Sequence, residues 1–400
     1  MPKVLRIINR FNLGGPTYNV SYLTKYMAPD YETLLVGGMN DKSEACSDYI
    51  VQKLGIHAIK ISEMIRSING YNDMVAYEKI KNIIKRYKPD IVHTHASKAG
   101  VLGRQAAISC GVPVIVHTFH GHIFNSYFNK YITETFRKIE QHYAKKSSAI
   151  VAISDIQKYE LSEIYKIAPA EKFRVIPLGF DLNRFQENKA MKRDAFRKQY
   201  DIADDEIAIS IVGRLVPVKN HKMFIDVIKD VKTKTNRKVR GVIVGDGDLR
   251  NTLMEYATSH GLTISTPEHK VPYSDLIFTS WIKDADYVFA GSEISALTSL
   301  NEGTPVSIIE SQAANVPVVS TIVGGIRDVV MEGKTALLSP TQNVEAFSDN
   351  LLMLIENDEM RKQMSEDGWI FVRDKFHYTR LVNDMKNLYD ELLANRKISF

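Results

Sequence analysis

Short apolar runs alternate with longer amphipathic stretches along this chain. Val4–Asn9, Tyr31–Gly37, Ile56–Ile59, Ile91–His93, Val112–Thr118 and Ala149–Ile153 read as strands, being brief, β-branched and bounded by turn residues. Asp73–Tyr87 and Ala99–Ser109 between them read as helices. A polar, highly charged tract follows at 186–205, with Met191–Tyr200 helical. The rhythm then restarts with strands at Ile207–Val212, Val242–Val244 and Val316–Val319. Helical patterns at Ile326–Met331, Val344–Glu356, Asp358–Lys375 and Tyr378–Asn395 close the chain. Alternation of this kind predicts an α/β protein with doubly wound parallel sheets. In such sheets ligands bind beyond the carboxyl ends of the strands. No internal repeat or low-complexity tract breaks the pattern.

Length and composition narrow the class. With 400 residues the chain is long enough for two domains. Charged residues make up 25% and apolar residues 44%, ordinary for a globular protein. No apolar run nears the roughly 18 residues of a membrane helix, and MPKVLRIINRF lacks the shape of a signal peptide. Cys46 and Cys110 have no metal-like spacing and read as unpaired thiols of a reducing compartment, so a cytoplasmic location is expected. Residues 1–200 carry 30 Lys and Arg against 18 Asp and Glu, whereas residues 201–400 carry 22 against 29. The basic half is expected to meet something anionic, a phosphorylated acceptor or an anionic membrane surface. The amphipathic stretch Asn129–Lys146, with Lys130, Arg137, Lys138, Lys145 and Lys146, is the place for such docking at the inner face of a membrane; a solvated charged surface is the alternative. No basic stretch interleaved with aromatics forms a nucleic-acid module.

Candidate chemistry concentrates in Ser299–Gly325. A polar loop, Leu300–Pro305, leads into the helical VSIIESQAA. Glu302 lies in the loop and Glu310 in the helix. Pro305 suits the first helical turn. The free N–H groups and dipole of that turn make an anion site. The plainer alternative is a solvated loop acid and a surface helix acid. Arg214 and Lys219 share the loop after the strand Ile207–Val212; a fork of donors and a point charge suit a diphosphate. Gly14 and Gly15, after the first strand and before a helix, let backbone approach a ligand. Gly245-Asp246-Gly247-Asp248-Leu249-Arg250 is only a partial dinucleotide fingerprint. His93, His95, His117, His120 and His122 follow two strand ends. A metal site is one reading of them, but the only nearby carboxylate is Asp90, ahead of its strand.

Taken together, NEGTPVSIIESQAANVPVVSTIVGG, GRLVPVKNH, HTFHGH, the glycine pair and VIPLGFDLNRF resemble the family 4 retaining glycosyltransferases. The resemblance runs over nearly the whole chain. It implies the GT-B fold: two Rossmann-like domains facing across a cleft, 1–185 and 186–377, with the C-terminal helix 378–400 returning to the first. It implies that Glu310 binds the donor's ribose and Glu302 its sugar, with Gly303, Thr304, Pro305 and Val306 around the sugar. Arg214 and Lys219 clamp the diphosphate, which Gly14 and Gly15 face. His120 sits beside the reacting sugar, and His95 and His122 are acceptor-side candidates. A UDP-sugar donor and a glycan or lipid-linked acceptor are expected, in the synthesis of cell-surface polysaccharide or glycolipid. No cofactor and no metal are expected, because two cations and helix ends already face the phosphates. Two departures stand out. Residues 263–275 look like a reshaped loop, and Ser292-Glu293 replaces the family's Ala-Asp.

Three other classes fit parts of the pattern. A nucleotide-sugar epimerase shares the architecture. A nicotinamide oxidoreductase needs a complete glycine fingerprint in the first βα turn, which is absent. A nonenzymatic carbohydrate-binding module would bind sugar without nucleotide.

Overall fold

The computed structural model describes residues 1–11, 15–39, 48–65, 67–121, 124 and 130–397. The chain forms two compact units, Met1–Phe180 with Phe376–Phe400, and Asp181–Lys375. The crossing at Phe180 thus falls ahead of the 185 boundary expected from sequence, because the turn Asn183–Phe185 packs with the second unit.

Unit 1 runs β1 (Lys3–Arg10), α1 (Gly15–Tyr26), β2 (Glu32–Gly38), α2 (Asp48–Lys53), β3 (Ile59–Ile61), α3 (Gly70–Tyr87), β4 (Ile91–His95), α4 (Ser97–Ser109), β5 (Val114–Phe119), α5 (Lys130–Lys146), β6 (Ala149–Ala152), α6 (Asp155–Tyr159) and β7 (Phe173–Val175). Its strands are parallel, in the order β3-β2-β1-β4-β5-β6-β7. The strand expected at Ile56–Ile59 starts three residues later, because Gly55, at a φ of 66°, still belongs to the turn after α2.

Unit 2 runs α7 (Lys189–Gln199), β8 (Ile207–Val212), α8 (His221–Lys234), β9 (Val239–Val244), α9 (Arg250–Ser259), β10 (Ile264–Ser265), β11 (Leu276–Ser280), α10 (Ala285–Ala290), β12 (Ile294–Leu297), α11 (Val306–Ala313), β13 (Val318–Thr321), α12 (Ile326–Val329), β14 (Ala336–Ser339), α13 (Val344–Glu356) and α14 (Asp358–Phe376). This sheet is also parallel, in the order β10-β11-β9-β8-β12-β13-β14. Residues 263–275 are not simply a loop. They carry the edge strand β10, held to β11 by Asp275, whose Oδ2 accepts the Thr263 N–H at 2.6 Å and the Thr263 hydroxyl at 2.7 Å. The last helix, α15 (Tyr378–Lys397), belongs to unit 1.

Period-two alternation sorts each strand between two cores, as burial on both faces of a parallel sheet requires. In unit 1, Val4, Ile91, Val114 and Val116 pack with Leu23, Met27 and, from α15, Leu381, Met385, Leu388 and Tyr389. Leu5, Ile7, Val92 and Ile115 face the other way, onto Ile80 and Ile84 of α3 and Ala99 and Ala106 of α4. In unit 2, Ile207, Ile209 and Ile211 pack with α8, α9 and α13, while Ala208, Val242 and Val244 pack with Phe196 and Val288. Glu293, where the family has an Asp, ties these layers together. It pairs with Arg193 at 2.7 Å and Arg197 at 3.1 Å, and it accepts the Ala208 N–H at 2.8 Å. No helix among the described residues is long and apolar enough to cross a membrane.

Candidate functional site

In unit 2 the strand order reverses between β8 and β12, because the chain moves outward from β8 to β9 and later returns to β12 on β8's other side. Loops at such a reversal diverge to opposite faces and leave a crevice at the carboxyl ends. The loop after β8 carries Arg214 and Lys219; the loop after β12 carries Glu302 to Pro305. Thr298 joins them, its hydroxyl donating to the carbonyls of Lys219 at 3.1 Å and Asn220 at 3.0 Å. Leu300 N–H donates to Val218 O at 2.8 Å.

Within this frame Lys219 Nζ lies 2.5 Å from Glu302 Oε1, which also accepts the Ser299 hydroxyl at 2.6 Å. The pair is mostly buried, with side-chain exposures of 19% and 9%. Arg214 is exposed, and its guanidinium makes no hydrogen bond or ion pair among the described residues.

Glycines set the close packing around these side chains. A Cβ on Gly324, at a φ of 45°, would stand 1.9 Å from Glu302 O, and one on Gly325 2.0 Å from Gly303 O. The Gly324-Gly325 turn therefore lies directly under the Glu302 loop, and Gly325 N–H donates to Glu302 O at 3.1 Å. The Gly245–Gly247 turn lies equally close to the Arg214 loop, since a Cβ on Gly245 would meet Gly213 O at 1.9 Å. This packing accounts for the partial fingerprint without a dinucleotide.

Helix α11 begins one residue later than Pro305, which is its N-cap at φ −75° and ψ 98°. Pro305 O accepts from Ile308 and Ile309 N–H. Among the described residues the N–H groups of Gly303, Thr304, Val306 and Ser307 have no hydrogen-bond partner, the donor set of an anion or hydroxyl site. Glu310 sits further along α11, its side chain 16% exposed. Burial raises its pKa, and Arg184, donating to Oε1 at 3.2 Å, opposes the rise. Glu310 stands out in the sequence but Arg184 does not, since its motif FDLNRF marks only the passage between domains.

In unit 1, Gly15 opens α1 at the carboxyl end of β1, where a Cβ would come 2.8 Å from Leu178 Cδ1. Gly14 and His122 lie outside the described residues, as does Cys46. The remaining histidines are divided by the sheet. His93 and His95 occupy alternate positions of β4 and share a face, their ring centroids 4.1 Å apart. His117, on β5, points to the opposite face, where its Nδ1 meets Thr94 Oγ1 at 2.8 Å. Among the described residues no group of three or more histidine, cysteine or acidic side chains is placed to hold a metal.

A polar chain instead threads the core beneath α15. Arg6 Nη1 donates to the Tyr389 hydroxyl at 2.6 Å, which meets His93 Nδ1 at 2.6 Å, and His93 Nε2 meets Thr118 Oγ1 at 2.7 Å. His95, fully buried, places Nδ1 3.0 Å from His120 Nε2. His120 Nδ1 and His95 Nε2 are buried without a partner. Burial pushes the His120 pKa down to about 3, and those of His93, His95 and His117 well below the usual value, so these rings are neutral.

Comparison with known proteins adds to this geometry. Residues 14–184 match the family model "Glycosyltransferase Family 4", and residues 192–369 match "Glycosyl transferases group 1". An Escherichia coli protein described as UDP-Gal:alpha-D-GlcNAc-diphosphoundecaprenol alpha-1,3-galactosyltransferase is 29% identical over 358 residues, 89% of this chain and 88% of that protein. A glycosyltransferase from Rickettsia africae superposes with a TM-score of 0.79 at 21% identity, over 98% of this chain and 99% of its own. An Anabaena protein solved in complex with UDP superposes with a TM-score of 0.80 at 18% identity, over 97% of this chain and all of its own. Both models are of sugar-transferring enzymes, which leaves the epimerase reading without support. With those two models spanning nearly its whole length and two parallel α/β units carrying the motifs, the chain belongs to the family 4 retaining glycosyltransferases of the GT-B fold.

Proposed function

We propose that this enzyme moves a hexose from a UDP-sugar to a lipid-linked or glycan acceptor, keeping the anomeric configuration. The observation that carries the reading is the Lys219–Glu302 pair, set beside unpartnered N–H groups where the sheet reverses. The relative from Escherichia coli, named for a UDP-Gal donor and a diphosphoundecaprenol-linked acceptor, supports this choice of substrates.

Each group has a part. Arg214 and Lys219 meet the diphosphate, whose negative charge grows as the bond from the sugar's anomeric carbon to the phosphate oxygen breaks. Glu302 accepts hydrogen bonds from sugar hydroxyls, and the N–H groups of Gly303, Thr304 and Val306 donate to the sugar and phosphate oxygens. Glu310 accepts from the ribose. His120 donates or accepts at a sugar hydroxyl through Nδ1, and His95 Nδ1 holds its other nitrogen, Nε2. The acceptor hydroxyl attacks the anomeric carbon on the face the diphosphate leaves, and its proton passes to the departing phosphate. Because fixed cations and N–H groups neutralise that phosphate, turnover is expected to survive EDTA.

Membrane docking is part of the proposal. Unit 1 carries 28 Lys and Arg against 18 Asp and Glu, a balance of +10, whereas unit 2 carries 24 against 29. On α5, Lys138, Lys145 and Lys146 are exposed, but Arg137 is already paired with Glu134 at 2.6 Å. Charge reversal of the three lysines should reduce cosedimentation with anionic vesicles; unchanged binding would remove this surface from the proposal.

The central test is release of UDP from a panel of UDP-hexoses, with and without a GlcNAc-diphosphate polyprenol acceptor. Acceptor-dependent UDP release and an α-linked product are expected from an α-linked donor. A free epimerised sugar, or a β-linked product, would defeat the proposal.

A further inference from the structure

Arg184 lies in the turn Asn183–Phe185, just after the chain enters unit 2. The residues just after that turn are tied to the end of α11 and to Asn315 beyond it. Gln186 Nε2 donates to Ala313 O at 2.5 Å and to Asn315 Oδ1 at 2.7 Å, and Lys189 Nζ donates to the same Asn315 oxygen at 2.8 Å. Lys192 Nζ donates to Arg184 O at 2.5 Å and pairs with Asp286 of α10 at 2.8 Å. The Arg184 guanidinium rests 4.7 Å from the centre of the Phe185 ring. From this braced position Arg184 Nη2 reaches Glu310 Oε1 at 3.2 Å, leaving Glu310 Oε2 without a protein partner among the described residues.

We propose that Arg184 is the positioning residue for Glu310: it fixes one carboxylate oxygen so that the other faces the ribose hydroxyls of the donor. This rests on the assignment of Glu310 to the ribose. The physical need is specific. A glutamate on a helix has several rotatable bonds and does not by itself present an oxygen in one place. Its burial favours the protonated form, which loses acceptor capacity. The charges that face Glu310 are Arg184 and Asp286, and Asp286 opposes the ionised state. Lys192 engages Asp286, so Arg184 is the cation whose charge and geometry both act on Glu310 directly. Resting the guanidinium on the Phe185 ring, with the Arg184 backbone carbonyl held by Lys192, limits the entropy lost when the nucleotide arrives.

The test measures UDP and 2′-deoxy-UDP affinities by calorimetry between pH 6 and 8. It compares the full-length chain with R184Q, R184K and E310Q, each checked by thermal melting. The native chain should prefer UDP over 2′-deoxy-UDP, and E310Q should lose that preference. R184Q should weaken UDP about ten-fold, the scale of one charge-assisted hydrogen bond, with little change for 2′-deoxy-UDP. The R184Q deficit should deepen as pH falls, because the buried carboxyl then takes up a proton. R184K should restore the pH profile but only part of the preference. If E310Q loses the preference and R184Q keeps it, the role of Arg184 is overturned and the ribose assignment stands. An equal loss for both nucleotides in R184Q would likewise reduce Arg184 to a structural part. If E310Q keeps the preference, or the native chain binds neither nucleotide, the ribose assignment itself fails and Arg184's role with it.

Discussion

Lys219 and Glu302 lie 83 residues apart in the chain, yet the Lys219 ammonium touches the Glu302 carboxylate at 2.5 Å. The cation assigned to the diphosphate and the acid assigned to the sugar therefore occupy each other before a donor arrives. On the proposed roles, donor binding exchanges this ion pair for contacts to the ligand, and most of its worth is recovered only if both partners find new ones.

Replacing Glu302 by glutamine frees Lys219 while keeping the shape of the loop. UDP should bind as tightly as in the native chain, or a few-fold tighter. The catalytic rate should drop by about 10²-fold, the scale of losing one preorganised polar contact to the reacting group. Calorimetry and steady-state rates measure the two separately. A parallel loss of UDP affinity would show instead that Glu302 supports the nucleotide.

Gly324→Ala tests the packing beneath the loop. Its new methyl would stand 1.9 Å from Glu302 O in a residue whose φ of 45° already disfavours a side chain. Stability should fall by about 1–3 kcal/mol, with a larger loss of turnover as Glu302 shifts. Gly303→Ala meets nothing within 4 Å and should leave the melting temperature nearly unchanged.

Acid should destabilise unit 1. His93, His95, His117 and His120 are held neutral by burial, with pKa values below that of the unfolded chain. Above about pH 6.5 both states are neutral and these rings have no pH effect. Below it the unfolded state binds protons that the folded state refuses, so stability falls with pH. The loss continues down to about pH 3, where His120 protonates in the folded chain. Each ring held neutral adds about 1.4 kcal/mol of slope per pH unit in that window. Thermal melts from pH 7.5 to 5 should show the drop, and His117→Asn should make it shallower.

Tyr389→Phe removes one hydroxyl that serves both Arg6 Nη1 and His93 Nδ1. Arg6 is fully buried. The substitution should cost about 1–3 kcal/mol in urea unfolding, the scale of leaving buried polar groups unpaired. A neutral result would mean that the chain through Arg6, Tyr389 and His93 relaxes without penalty.

How far the chain's own pattern reached can be judged residue by residue. The strand at Ile207–Val212 and the helix at Val344–Glu356 carry full hydrophobic periods, and the observed elements coincide with them. The edge strand at Ile264–Ser265 looks like a loop in the sequence, because two residues hold no period and its pairing with Leu276 and Ile277 is the whole of its definition. The Glu302 loop and the Arg214–Lys219 loop are legible in the sequence because each is contiguous, with its position set by local backbone. His95 was singled out for the acceptor side; in the fold it is fully buried with its Nδ1 on His120, an arrangement that needs β4 and β5 side by side.

The order of apolar and polar residues was enough to determine two parallel α/β layers and the loops that bear Arg214, Lys219 and Glu302, since both follow from local periodicity and turn chemistry. Which groups touch was decided only by the tertiary structure. Sheet order brings the loops of β8 and β12 together to join Lys219 with Glu302, strand alternation sends His117 away from His93 and His95, and a turn 126 residues upstream supplies Arg184 to Glu310. Contacts across such separations depend on strand adjacency and the facing of side chains, and no stretch of linear pattern encodes those by itself.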